Sequence, residues 1–259
     1  MRMEDLDTPR VVPGSAAEIL RTLEALGLEW DGSVIYQSER LERYAAALDA
    51  LRAAGLTFEC SCSRRQLAEA DEPGYPGTCR SGAVAGAPTA TRLRIDADVH
   101  FADRLQGECT FTARQLGDVV IRRRDGIYAY QLAVVVDDAA QGVTDIVRGC
   151  DLIASTGWQL ALQRALGLPE PRYAHLPLVV EPDGSKLAKS RRSVPVAPRS
   201  AGPLIHATLG LLAQHPPAEL ARASPAALIQ WGIAHWDPAP LTGLRTISAR
   251  LEPGDPISG

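Results

Sequence analysis

Apolar residues recur at helical spacing in two early segments of the chain. Between Ser15 and Gly27 the stripe is Ile19, Leu20, Leu23 and Leu26, with Ser15 placed to cap, Glu18 three residues on and Gly27 to close. Ser38 to Gly55 repeats the design with Leu41, Tyr44, Ala45, Leu48 and Leu51, and Ser38 as the predicted cap. Ahead of them, Arg2 to Asp7 alternates weakly and meets Thr8-Pro9-Arg10, as the tail of a strand entering a loop would. Short alternating runs within 91–121, such as Thr91 to Ile95 and Val119 to Ile121, predict strands. Tyr128 to Val136 is almost continuously apolar and fits a strand or a helix buried on both faces. Ile153 to Leu166 predicts a helix stopped by Gly167 and Pro169, and Leu176 to Val180 a short buried strand. Beyond Pro195 the pattern gives helices near Pro203–Gln214 and Pro225–Trp236 with little strand signal. Strands interleaved with helices make this an α/β chain.

Composition narrows the function classes. A 259-residue chain with 46% hydrophobic and 22% charged residues can bury a sizeable core. A net charge of −4 excludes a surface coated for bulk nucleic-acid binding. It leaves room for a local basic stripe, and arginines cluster at Arg122-Arg123-Arg124 and Arg191-Arg192. No apolar run approaches the ~20 residues that span a bilayer, and the opening Met-Arg-Met-Glu-Asp-Leu-Asp lacks the apolar stretch of a signal peptide. Five cysteines in a chain of this length do not form a disulfide framework. A cytoplasmic protein is the expectation.

Three groups of residues carry chemistry. Cys60-Ser61-Cys62, with Cys79 beyond a Gly- and Pro-rich stretch, offers thiolates that can share a metal ion. Tetrahedral Zn²⁺ needs four ligands, no histidine lies in the segment, and Tyr75 is the best-placed fourth candidate. The competing reading is three ordinary loop cysteines; Cys109 and Cys150 read as small buried hydrophobes. In Asp183-Gly184-Ser185-Lys186-Leu187-Ala188-Lys189-Ser190, two lysines three apart can bring point charges onto phosphate oxygens, although such loops are more often only solvated. Finally Glu4, Tyr130, Gln131, Asp137, Asp138 and Arg148 are polar residues predicted at strand ends. Among them a carboxylate suits an ammonium group and a guanidinium suits a carboxylate.

Taken in order, the segments RMEDLDTPR (2–10), LGLEWDG (26–32), YQSER (36–40), YAYQLAVVVDDAAQGVTDIVRGCDL (128–152), HLPLV (175–179) and KLAKS (186–190) resemble class I aminoacyl-tRNA synthetases of the glutamate group. The resemblance covers about residues 1–190. It is strongest to short members of that group that carry a Cys-x-Cys…Tyr-x-x-x-Cys zinc site and lack an anticodon-binding domain. It implies a doubly wound, Rossmann-like parallel sheet whose first strand and helix are missing. The implied divisions are a first catalytic part over 1–56, a zinc-binding insertion over 57–115, a second catalytic part over 116–192 and a helical appendage over 193–259. It further implies glutamate contacts at Glu4, Tyr130 and Arg148, and ATP contact at Lys189 with Lys186 assisting. One structural Zn²⁺ would sit on Cys60, Cys62, Tyr75 and Cys79. The implied reaction uses ATP with Mg²⁺ to activate glutamate and passes it to queuosine in the anticodon of tRNA(Asp), with the protein a monomer.

Two departures accompany the likeness. Leu187 and Ala188 stand where the family loop has Met and Ser, with both lysines kept. The family's opening strand and His-Ile-Gly-His-like signature have no counterpart, so the expectation is a sequence incomplete at its front and a chain unable, as written, to form the adenylate. A tRNA(Glu)-charging synthetase is one alternative. A catalytically silent zinc protein that binds tRNA or a partner is the other, should the chain start at Met1.

Overall fold

The computed structural model of the chain describes residues 1–69, 74–181, 184 and 201–248. Its elements run β1 (Arg2–Met3), α1 (Ser15–Ala25), β2 (Ile35–Tyr36), α2 (Leu41–Ala53), β3 (Thr57–Cys60), α3 (Arg64–Glu69), β4 (Ala90–Leu93), β5 (Val99–Asp103), β6 (Gly107–Phe111) and α4 (Ala113–Leu116). They continue with β7 (Val119–Arg122), α5 (Tyr130–Ala140), β8 (Asp145–Gly149), α6 (Ile153–Leu166), β9 (Arg172–Leu176), β10 (Leu178–Val180), α7 (Ala201–Leu211), α8 (Pro225–His235) and β11 (Thr246–Ser248). The fold is α/β, and its contacts divide into two units. One holds Arg2–Pro9 and Ile35–His175; the other holds Arg10–Val34 and the chain from Leu176 on.

The larger unit carries the core. Tyr44, Leu48 and Leu51 of α2, the run Leu132 to Val135 of α5, and Leu160 and Leu162 of α6 bury against Leu93, Val119 and Ile121 of the strands. The apolar run at 128–136 is thus a helix, α5, and burial on nearly all sides explains why it shows no amphipathic period. Its strands are mixed rather than wholly parallel. β1 pairs in parallel with β2, Met3 opposite Tyr36. β3, β4 and β7 form an antiparallel sheet. A second sheet has the order β6-β5-β9-β8, in which the β5–β6 hairpin is antiparallel and β5 meets β9 in parallel at Asp103 and Tyr173.

The smaller unit pairs β10 in parallel with β11, a strand that the sequence pattern does not announce. The helix predicted over 225–236 begins at Pro225 behind Ser224, whose side chain accepts from the Ala227 amide.

Both serine caps predicted near the N-terminus give way to other partners. Gly14, at φ 86°, occupies the α1 N-cap, so Ser15 is already the first helical residue. Arg40 occupies the α2 N-cap. Ser38 instead turns to Asp5: its amide and hydroxyl donate to the two carboxylate oxygens at 2.9 and 2.6 Å. A side-chain carboxylate is the stronger acceptor, and it ties the end of β1 to the end of β2.

The polar set predicted at strand ends is also placed differently. Tyr130, Gln131, Asp137 and Asp138 all lie on α5, and of the set Arg148 alone sits within a strand, β8. Asp137 is fully buried and accepts three bonds, from Gln37 Nε2 at 2.9 Å, Arg40 Nε at 2.7 Å and the Tyr44 hydroxyl at 2.7 Å. Burial, and then this carboxylate, push the Tyr44 hydroxyl well above its ordinary pKa, so it stays a donor. Removing the carboxylate strands a guanidinium, an amide and a phenol together. Asp137→Ala is therefore expected to cost about 3–5 kcal/mol of stability, read as a lower urea midpoint; a loss below about 1 kcal/mol would contradict this account.

Candidate functional site

The thiol knuckle forms where β3 ends. Cys60 closes that strand, Cys62 follows two residues later, and Cys79 returns on a turn whose Arg80 amide bonds back to Gly77. The three sulfurs lie within 4.8 Å of one another, and the group could hold a metal ion. Cys62 and Cys79 Sγ are 3.5 Å apart, and the Tyr75 hydroxyl lies 3.4 Å from Cys60 Sγ and 3.8 Å from Cys62 Sγ. Metal–sulfur bonds of about 2.3 Å in a tetrahedron separate ligand atoms by roughly 3.5–3.8 Å. The donor set therefore fits a four-ligand ion with little movement. The Cys79 amide donates to the Tyr75 oxygen at 2.8 Å, which orients that oxygen toward the sulfurs.

The sulfurs do not titrate alike. Burial raises Cys79, but hydrogen bonds from the Tyr75 hydroxyl, the Ser61 amide and Cys62 outweigh it and bring its pKa down to about 6. Burial and the Cys79 neighbour push Cys62 the other way, and burial with the adjacent thiols raises Tyr75. Three thiolates and a phenolate would carry more negative charge than a divalent ion cancels. Nearby cations moderate this: the Arg92 guanidinium lies 4.0 Å over the Tyr75 ring, and Arg124 donates to the Ser61 and Cys62 carbonyls. Arg80, beside Cys79, is locked onto buried Asp118 at 2.7 and 2.5 Å.

Tyr75 owes its position to glycine. Gly117 has φ 61°, and a Cβ there would overlap the Tyr75 amide nitrogen; a Cβ on Gly74 would come within 2.6 Å of the Arg114 carbonyl. The two backbones can approach only without side chains.

A second constellation lies in the same unit. Tyr130 opens α5 and remains 38% exposed. Burial raises its pKa, as does the charge of Glu4, while the charge of Arg148 lowers it, so its ring lies in the field of both groups. Glu4, just past β1, shares its carboxylate with Arg2 at 3.1 Å; Arg2 also reaches Asp138 at 2.7 Å and Gln141 at 2.8 Å. Arg148, in β8, donates through Nη2 to Thr156 Oγ1 and Gln159 Oε1, both at 2.7 Å, and through Nε to His175 Nε2 at 3.2 Å. Gln159 in turn donates to Gln131 at 2.8 Å. The arrangement offers a carboxylate, a phenol and an anchored guanidinium, a set able to take a small zwitterion with an acidic side chain.

The structure thus brings together Cys60, Cys62, Tyr75 and Cys79, and separately Glu4, Tyr130 and Arg148. Lys186 and Lys189 lie outside the described residues. Thr156, Gln159, His175 and Asp103 escape sequence reasoning as site residues; His175 falls in the HLPLV segment, but its partners are remote along the chain.

With this α/β fold and these two sites, residues 1–200 match the model of the class I tRNA synthetases (E and Q), catalytic domain, and the chain belongs to that family. Among its relatives is a protein named Glutamyl-Q tRNA(Asp) synthetase from Ectopseudomonas mendocina, 53% identical over 250 residues, covering 96% of this chain and 85% of that protein. One of the same name from Pseudomonas aeruginosa is 55% identical over 240 residues, covering 92% of this chain and 81% of its own. Of solved structures, a glutamate-tRNA synthetase from Elizabethkingia anophelis superposes with a TM-score of 0.73 at 21% identity. The match covers 96% of this chain and 60% of that one, and supports the fold alone. Among the described residues no helix is long and apolar enough to cross a membrane.

Metal analysis tests the knuckle. Cys62→Ala should lose about one equivalent of bound metal per chain, and unchanged content would refute the site. Gly117→Ala should lower metal affinity with every ligand present, because it displaces Tyr75; affinity equal to the parent's would show that the close approach is not needed.

Proposed function

We propose that the protein activates glutamate with ATP to glutamyl-AMP and transfers the glutamyl group to queuosine in the anticodon of tRNA(Asp). The observation that carries this reading is identity of 53–55% to proteins of that name over 92–96% of the chain. The geometry agrees with it. Arg148 is held ready for the substrate's side-chain carboxylate, Glu4 for its ammonium group, and Tyr130 borders both.

In the first step the α-carboxylate of glutamate attacks the α-phosphorus of ATP, an acyl–phosphate bond forms, and pyrophosphate leaves. Charge grows on the departing phosphates in that transition state. Lys186 and Lys189 are assigned to meet it, with Mg²⁺ accompanying the nucleotide. In the second step a hydroxyl of the queuosine cyclopentene ring attacks the acyl carbon and AMP leaves. The residues of the thiol knuckle, Cys60, Cys62, Tyr75 and Cys79, are assigned to one Zn²⁺. Four protein ligands leave no open coordination position, so its role is to hold the insertion's shape. The chain is taken to act as a monomer.

The test supplies labelled glutamate and ATP with either queuosine-containing tRNA(Asp) or tRNA(Glu). Label on tRNA(Asp) alone is the expected result; label on tRNA(Glu) alone would reject the reading in favour of ordinary charging. Arg148→Ala should lower kcat/KM for glutamate by roughly 30-fold or more, the lower end of the cost of losing one partner of a buried charge pair, with the KM for ATP unchanged.

A further inference from the structure

Behind Arg148 lies a buried relay from a distant hairpin. Asp103 ends β5 and is 4% exposed; His175, in β9, is fully buried. One Asp103 oxygen accepts from the amides of Leu105, Gln106 and His175 at 3.0, 2.8 and 3.1 Å. The other meets His175 Nδ1 at 2.6 Å. Burial opposes the charge on this carboxylate, but the imidazole and the three amides outweigh it and hold its pKa below the ordinary range. An ionised carboxylate can only accept, so His175 Nδ1 carries the proton. Across the ring, Nε2 faces Arg148 Nε at 3.2 Å, a group that can only donate, and Thr156 Oγ1 at 3.1 Å. Nε2 must then present its lone pair. A protonated imidazole would set a second cation against the guanidinium.

We infer that Asp103 and His175 are positioning residues that fix the neutral, Nδ1-protonated imidazole and thereby aim Arg148 at the substrate carboxylate. This rests on the reading of Arg148 as a glutamate contact. Neither residue touches substrate; each acts through the guanidinium. Thr156 and Gln159 anchor Nη2, and His175 supplies the acceptor at Nε that sets the plane of the fork. His175, Thr156 and Gln159, the groups to which Arg148 donates, are all neutral, so none of these bonds sets a carboxylate against the guanidinium in place of the ligand.

Two readouts test the inference, with glutamate affinity measured calorimetrically and imidazole protonation followed by ¹⁵N NMR. The wild-type spectrum should show His175 neutral with the proton on Nδ1. Asp103→Asn can donate to Nδ1 and should move the proton to Nε2, against Arg148. His175→Asn keeps a donor for Asp103 but loses the acceptor for Arg148, and should weaken glutamate binding roughly 10- to 100-fold. His175→Gln, whose amide oxygen can reach the Nε2 position, should recover most of that loss. An imidazolium or an Nε2-protonated ring in the wild type would overturn the relay. So would unchanged glutamate affinity in well-folded His175→Asn and Asp103→Asn beside an Arg148→Ala control that binds none. If Arg148→Ala itself binds normally, the glutamate assignment fails, while the spectrum still judges the relay.

Discussion

The carboxylate of Asp137 is fully buried, and the larger unit is organised around satisfying it. Leaving it unpaired there would be prohibitive, so Gln37, Arg40 and Tyr44 all turn to it. That requirement fixes the entry to α2 against the body of α5. One residue on, Asp138 takes Arg2, which draws β1 to the same helix, and Asp5 then gathers Ser38 beside it. Motifs spread over more than a hundred residues are thus joined through three carboxylates, Asp137, Asp138 and Asp5. The exposed edge of this frame is where Glu4 and Tyr130 meet the field of Arg148.

The thiol knuckle rests on a different constraint. It gains little from an apolar core, since its stretch is rich in glycine and proline. Its geometry comes from backbone contact at Gly74 and Gly117 and from arginines that grip carbonyls, a carboxylate and an aromatic face. Ligand spacing close to a tetrahedron follows from these contacts. The fold and the donor atoms are therefore mutually consistent, which is what a site that couples metal binding to local folding requires.

Much of this was legible in the chain, for physical reasons that differ by element. The helix at 153–166 was plain because its apolar period is clean and Gly167 takes the left-handed cap at φ 63°. The cysteine group was legible because the knuckle's ligands are close in sequence. The helix state of the 128–136 run was not, because burial on nearly every side removes the periodicity that separates helix from strand. The caps at Ser15 and Ser38 failed because a local rule cannot see Gly14's left-handed turn, or a carboxylate 33 residues away. β11 was missed because its three residues acquire meaning only beside β10. The relay behind Arg148 was hidden in the same way: Asp103 and His175 are 72 residues apart, and the HLPLV segment that begins at His175 does not reveal either partner. Lys186 and Lys189, which sequence likeness alone supports, fall outside the described residues.

Arg124 contacts the Ser61 and Cys62 carbonyls from 63 and 62 residues further along the chain. Its own hairpin is closed by Arg123 and Ile127, and two residues later Ala129 caps the helix that Tyr130 begins. One guanidinium thus acts as a rivet between the knuckle and the turn that leads into the helix opened by Tyr130. A lesion among the thiols would then be felt at the start of that helix, while the apolar core, which contains none of the knuckle cysteines, stays intact.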